Sequence, residues 1–251
     1  MHTDFGLAYV WAELDVSLDD GVTTDQWVEQ YGVEKCATIE ELCEKSDYIV
    51  VLAPSNPETH LKYAEIVLKY GKNTYIDKTF APDFDTAQKI FQIGATNGTK
   101  FFSSSALRYA TELSDYVGCQ SASVTFGGRS VEEYVIHPTE MLVKLVGIGA
   151  KRVRCNKVEN HYAFTVEYQN GSVSVVNYYE DQIVPVTFSA TNNGTTTDVA
   201  VNSDYFHWLI LDIVRFFQTG EVPFDGAQTL EVMKLREAFI KAKDTKDWII
   251  L

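Results

Sequence analysis

The chain has 251 residues, 45% of them apolar, which is enough to bury a sizeable core in two domains or one large one and excludes a disordered polymer. Its 35 acidic against 21 basic side chains leave a formal charge of -14 with no basic cluster above that background, so a nucleic-acid partner is disfavoured. An anionic small molecule in one locally positive pocket stays open, and the longest candidate membrane stretch, 208–217, is broken by Asp212 and Arg215 and is too short to span.

In chain order, residues 7–12 (LAYVWA) form a short apolar strand that runs into Glu13 and Asp15. A helix over 24–31 closes at Gly32, and Thr38 caps the next helix with Glu41 in the reciprocal capping position. Residues 48–53 (YIVVLA) read as a buried parallel strand that stops at Pro54-Ser55-Asn56-Pro57. A helix over 58–70 ends at Gly71; then come a strand over 74–76, a helix over 84–95 and a strand from 100 to 103. This alternation predicts an α/β, Rossmann-like parallel sheet covered on both faces, with ligands at the carboxyl ends of its strands.

The pattern changes after Leu107. A helix to about 116 is followed by a strand over 122–126, a turn at Gly127-Gly128 and a helix over 137–146. Strands over 152–159, 161–168, 172–179 and 186–190 come in series, with hairpin signals at Asn170-Gly171 and Asn193-Gly194. The second part is therefore α+β with a mainly antiparallel, open-faced sheet, closed by helices over 205–217 and 229–241. The first of these is apolar over more than a narrow stripe, which predicts a place between two layers. The expected division is 1–105 for the Rossmann-like part, incomplete at its N-terminus, and 106–251 for a substrate-binding and oligomerisation part.

Cys36, Cys43, Cys119 and Cys155 include no CxxC pair and read as buried or semi-buried thiols in a reducing, cytoplasmic compartment. Asn-Gly-Thr and Asn-Gly-Ser triplets read as turns, since no secretion signal precedes them.

Lys78 is the sharpest chemical candidate, two residues beyond an apolar strand at the end where ligands meet such a sheet. An ammonium there can bond a substrate oxygen and relay its proton; a solvated loop lysine is the plain alternative. His137 begins a helix with Glu133 four residues before it and Glu140 three after, which suits an oriented acid or base and equally a structural pair. No HExxH spacing supports a metal. Arg108 and Tyr109, following Ser103-Ser104-Ser105, suit a polyol or carboxylate ligand or a domain junction. His60 is a cap or pocket wall, while His161 and His207 are structural.

Residues 49–82 (IVVLAPSNPETHLKYAEIVLKYGKNTYIDKTFAP) and 132–142 (EEYVIHPTEML) resemble the Gfo/Idh/MocA family of NAD(P)-dependent oxidoreductases, and the closing helices are similar too. The resemblance implies that Pro54, Ser55, Asn56 and His60 occupy the family's cofactor turn, and that Lys78 is the catalytic or substrate-binding lysine, with Thr79 where the family has proline. It puts Glu133 in the place of the family's aspartate, orienting His137, and Glu140 in that of a later carboxylate near substrate. It implies NAD or NADP as cofactor, a sugar or cyclic polyol as substrate, Glu13 and Asp15 at the adenine ribose, and a homo-oligomer formed through the C-terminal sheet. The sequence departs from the family in having no glycine-rich GxGxxG turn and in beginning at what corresponds to the second strand. The segment 7–12 is then expected to pair directly with 48–53 or to leave an unpaired edge. A non-catalytic descendant that binds a sugar-like ligand or self-assembles is the alternative to the oxidoreductase.

Overall fold

The computed structural model describes residues 5–17, 20–53 and 56–251. In the first part β1 (Tyr9–Val10) leads to α1 (Thr24–Tyr31), β2 (Glu34–Lys35), α2 (Ile39–Lys45) and β3 (Ile49–Val51). Then come α3 (His60–Val67), β4 (Thr74–Ile76), α4 (Phe84–Asn97) and β5 (Phe101–Ser103). The helix ends follow from local chemistry. At α1 the Thr23 hydroxyl accepts from Gln26 N while the Gln26 side chain accepts from Thr23 N, and Gly32 closes the helix at φ 65°. At α2 Thr38 caps as expected, but Glu41 accepts from Ala37 N, one residue before the cap.

The parallel strands do not form one sheet. β3, β4 and β5 are paired in parallel in that order, whereas β1 pairs in parallel with β2, a short strand that the sequence pattern did not reveal. Of the two expectations for residues 7–12, direct pairing with β3 is not what forms. Ile49 N bonds Asn73 O and Asp77 N bonds Val51 O, so these groups point to β4, and the alternate peptide groups at Val50 and Leu52 point to the opposite edge. β3 is also not covered on both faces: Val50 and Leu52 are 46% and 67% exposed.

Beyond residue 105 the expected helix is two 3₁₀ turns, Ala106–Tyr109 and Thr111–Tyr116, separated at Ala110, whose ψ of 122° is extended. Next are β6 (Ser121–Gly128), α5 (Val131–Tyr134), α6 (Ile136–Val146), β7 (Ala150–Val158), β8 (His161–Tyr168), β9 (Val173–Glu180), β10 (Thr187–Asn192) and β11 (Thr195–Ala200). α7 (Tyr205–Thr219), α8 (Gly226–Ala242) and β12 (Ile249–Ile250) close the chain. The seven strands run β11-β10-β6-β9-β8-β7-β12, antiparallel except for the β6–β9 pair. Gly127 and Gly128 are not a turn but the end of β6. A Cβ at Gly127 would lie 2.4 Å from Gln182 O, and one at Gly128 would lie 2.7 Å from Tyr134 Cγ, so close approach selects glycine here.

Both hairpins form. In β10–β11 Asn193 and Gly194 take φ 49° and 77°, as a primed turn requires, whereas in β8–β9 only Gly171 is left-handed and Asn170 accepts from Ser172 N. One face of the large sheet packs Tyr162, Phe164, Val166, Val176 and Tyr178 into the core shared with α6 and α8. The other face is open. α7 is not sandwiched: Leu209, Ile213 and Phe216 pack with Tyr75 and Phe102 of the parallel sheet, while Phe206, Trp208 and Ile210 stay exposed because no further layer covers them. All four cysteines are buried and free. Among the described residues no helix is long and apolar enough to cross a membrane.

Candidate active site and cofactor cleft

A cleft of about 800 Å³ opens between the two parallel sheets, at the carboxyl ends of β1 and β3. Trp11, Glu13, Leu14, Asp15, the start of α1 with Trp27, the exposed Val50 and Leu52, Asn56 and Tyr63 are among its walls. The expected Glu13, Asp15 and Asn56 are thus gathered in one place; Pro54 and Ser55 lie outside the described residues. Glu13 accepts from Lys62 Nζ and from Tyr63 OH, and these bonds hold its carboxyl below the usual range. Asp15 Oδ1 is 3.0 Å from Lys35 Nζ.

The second group stands beyond the end of the neighbouring strand. Lys78 follows β4 by two residues, with a cis peptide to Thr79, and its Nζ lies 5.7 Å from the centre of the Tyr134 ring. The His137 ring at the start of α6 is 5.5 Å from Tyr134 and 5.4 Å from Phe126. His137 Nδ1 is 2.7 Å from Ser105 Oγ, at the turn after β5. Burial, and then the Lys78 charge, hold the imidazole down to about 3, so it is neutral at neutral pH. Ser105 holds the His137 ring at Nδ1, while Glu133, the expected orienting carboxylate, accepts from Arg129 Nη2 at 2.6 Å, four residues before it.

Three expected ligand residues have other tasks. Arg108 and Glu140 are 5% and 3% exposed and paired at 3.1 Å. Glu140 also accepts from Ser105 N at 3.1 Å, and Arg108 donates to Gln228 Oε1 and stacks 3.8 Å from the Phe224 ring centre. The pair clamps the turn after β5, and Arg108 also lines a cavity beside Gln228 and Phe224. Burial pushes the Glu140 carboxyl up, with Arg108 opposing. His60 is fully buried: Nδ1 donates to Phe80 O at 3.1 Å and so ties the loop that carries Lys78 from within, while Nε2 stands 2.9 Å from Asp77 Oδ1. Tyr109 borders a separate cavity of about 350 Å³ with Lys144, Asp212 and Phe224.

The fold agrees with what comparison finds. Residues 13–105 match the model of the Gfo/Idh/MocA oxidoreductase family, described as an NAD-binding Rossmann fold. Over these residues the fold is that of the Gfo/Idh/MocA oxidoreductases. Among solved structures of this fold is a putative myo-inositol dehydrogenase from Sinorhizobium meliloti, with TM-score 0.78 and 12% identity, covering 98% of this chain and 92% of that one. GenD2 of gentamicin A biosynthesis, solved with NAD, gives 0.79 and 13%, over 98% and 89% of the two chains. A scyllo-inositol dehydrogenase from Lactobacillus casei gives 0.76 and 13%, over 97% and 90%. No curated protein sequence matches the chain.

Sequence reasoning underused Ser105 and missed Tyr134, Tyr63 and Asp77. Ser105 carried a signal, a hydroxyl two residues past a parallel strand, but three serines in a row hid which one mattered. Tyr134 is an aromatic in a four-residue helix with no period to read.

Proposed function

We propose that the chain is an oxidoreductase that transfers a hydride between a nicotinamide cofactor and a hydroxyl or carbonyl carbon of a sugar or cyclic polyol. The observation that carries this is the placement of Lys78 and His137 beside the same Tyr134 ring, beyond the end of β4 and one strand along from the cleft. A cationic amine and a neutral imidazole there can both bond one substrate oxygen.

The cleft residues fit the adenosine half of NAD(P). Trp11, Trp27 and Leu14 offer apolar walls, and Glu13 and Asp15 can accept from ribose hydroxyls, which favours NAD over a 2′-phosphate. No GxGxxG turn is present in the sequence for the diphosphate. When bound, the nicotinamide supplies or takes the hydride. Lys78 orients the substrate oxygen and exchanges a proton with it, and the Tyr134 and Phe126 rings exclude water from one side of His137. Polyol substrates are supported by the inositol dehydrogenases among the structural relatives.

The division near residue 105 assigns the cofactor to the first part and substrate contacts to both. Association through the open face of the large sheet into a homo-oligomer is part of the same proposal, as is a cytoplasmic setting for the four free thiols. Calorimetric titration of the chain with NADH and with NADPH tests the reading, followed by inositols and aldoses in the presence of the tighter one. Micromolar binding with NADH preferred is the expected result; no binding of either turns the reading to a sugar-binding or assembly module.

A further inference from the structure

We propose that Ser105 is a positioning residue that fixes His137 in the tautomer with its proton on Nε2, making the histidine a hydrogen-bond donor to the substrate oxygen and leaving proton exchange to Lys78. The argument begins with the serine. Ser105 is fully buried, so its hydroxyl proton cannot be left to solvent. Its oxygen accepts from Leu107 N at 3.3 Å, where it caps the 3₁₀ turn Ala106–Tyr109. Among the described residues, His137 Nδ1 at 2.7 Å is the acceptor that this hydroxyl reaches. A His137 protonated on Nδ1 would point N–H at a hydroxyl whose own proton then has no partner. Losing a buried bond of this kind disfavours a state by about tenfold or more. With Nδ1 an acceptor, the proton resides on Nε2.

The surroundings agree. The charged and titratable groups around the ring are Lys78 from the β4 loop, Tyr134 and Glu133 from α5, and the Arg108–Glu140 pair behind Ser105. The nearest cation opposes a second proton on the ring. The backbone of Ser105 is held as well, since Glu140 accepts from its N–H and is itself held by Arg108. The clamp therefore fixes the serine, and the serine fixes the tautomer.

This deepens the oxidoreductase reading and rests on it for its chemistry. With a nicotinamide bound to supply the hydride, reduction of a substrate carbonyl would have the Lys78 ammonium give the substrate oxygen its proton, leaving the amine. In the reverse direction the hydroxyl proton returns to that amine. His137 polarises the oxygen from Nε2 and keeps its own proton throughout.

The test is long-range ¹H–¹⁵N correlation of the histidine rings in the full chain at neutral pH, with the His137 signals assigned by their loss in His137→Asn. The expected pattern is a protonated Nε2 and a bare Nδ1. A protonated Nδ1, or a ring protonated on both nitrogens, overturns the proposal. Ser105→Ala is expected to convert that pattern to an average of the two tautomers, and Ser105→Thr to keep it. An unchanged pattern in Ser105→Ala overturns the positioning role, and the wild-type spectrum decides the tautomer if that variant does not fold. None of these readouts needs turnover, so failure of the oxidoreductase reading and failure of the tautomer assignment are distinguishable.

Discussion

Replacing Arg108 by methionine separates a structural clamp from a ligand-binding arginine. Both Arg108 and Glu140 are almost fully buried, and Glu140 also accepts from the backbone at Ser105 N. Arg108→Met keeps an unbranched chain over the Phe224 ring but leaves the carboxylate without its cation. Removing one partner of a buried pair costs about 3–5 kcal/mol, a large part of the ~5–15 kcal/mol that holds a domain together. Adding Glu140→Gln removes the stranded charge, so the double variant is expected to regain most of that loss. The pH dependence has a definite sign. Burial raises Glu140 with Arg108 opposing, and without Arg108 the rise is greater. Between the ordinary carboxylate value and the raised one, the folded state binds a proton that the unfolded state lacks, so Arg108→Met gains stability as pH falls from above the raised value toward the ordinary one. Urea unfolding followed by tryptophan fluorescence across that range measures this. A loss below about 1 kcal/mol, or a double variant no better than the single, refutes the clamp and returns Arg108 to ligand binding.

Other perturbations test the rest of the site. Lys78→Ala removes no ion pair shown in the structure, so it is expected to melt near wild type while abolishing turnover; a large fall in thermal midpoint with activity intact contradicts the assignment. His137, held down to about 3, stays neutral in the folded protein while the unfolded chain titrates near 6.5. Its contribution is complete above that value and is lost as pH falls, at up to about 1.4 kcal/mol per pH unit, so His137→Asn is expected to flatten the stability profile between pH 6 and 4. Equal slopes in the two proteins count against a neutral histidine. Gly127→Ala drives a methyl to 2.4 Å from the Gln182 carbonyl and is expected to cost about 1–3 kcal/mol, read as a lower melting temperature; an unchanged one means the loop yields freely.

Much of the fold was legible because local chemistry and tertiary packing agree. Thr23 and Gly32 bracket α1, Thr38 caps α2, and Asn193-Gly194 turns the chain where its backbone freedom predicts. The misreadings have a shared cause, in that long-range contacts override a local rule. Gly127-Gly128 looked like a turn because glycine is a turn residue, yet here it makes room for Gln182 and Tyr134. α7 looked buried all round, since hydropathy cannot say that no second layer exists. In the site, the spacing of Glu133 and Glu140 around His137 suggested a carboxylate partner, but the group that bonds the ring comes from 32 residues away, at the end of a strand. His60 and Arg108 were found as special residues; that burial turns them inward depends on the packed structure.

The separation of β1–β2 from β3–β4–β5 has a mechanical consequence. A continuous sheet resists shear because every strand is tied to the next by a ladder of hydrogen bonds between peptide groups in register. Here the two pieces are coupled by side chains: Trp11 against Tyr63 at 6.0 Å, Phe5 against Tyr48 at 5.2 Å, and Lys62 with Tyr63 on Glu13. Such contacts slide and re-form at little cost, so the two walls behave as plates on a compliant joint. Whatever enters between them stiffens the whole first half of the protein, and its arrival is then readable as slowed amide exchange in β1 and β2 as much as in the strands that carry the lysine.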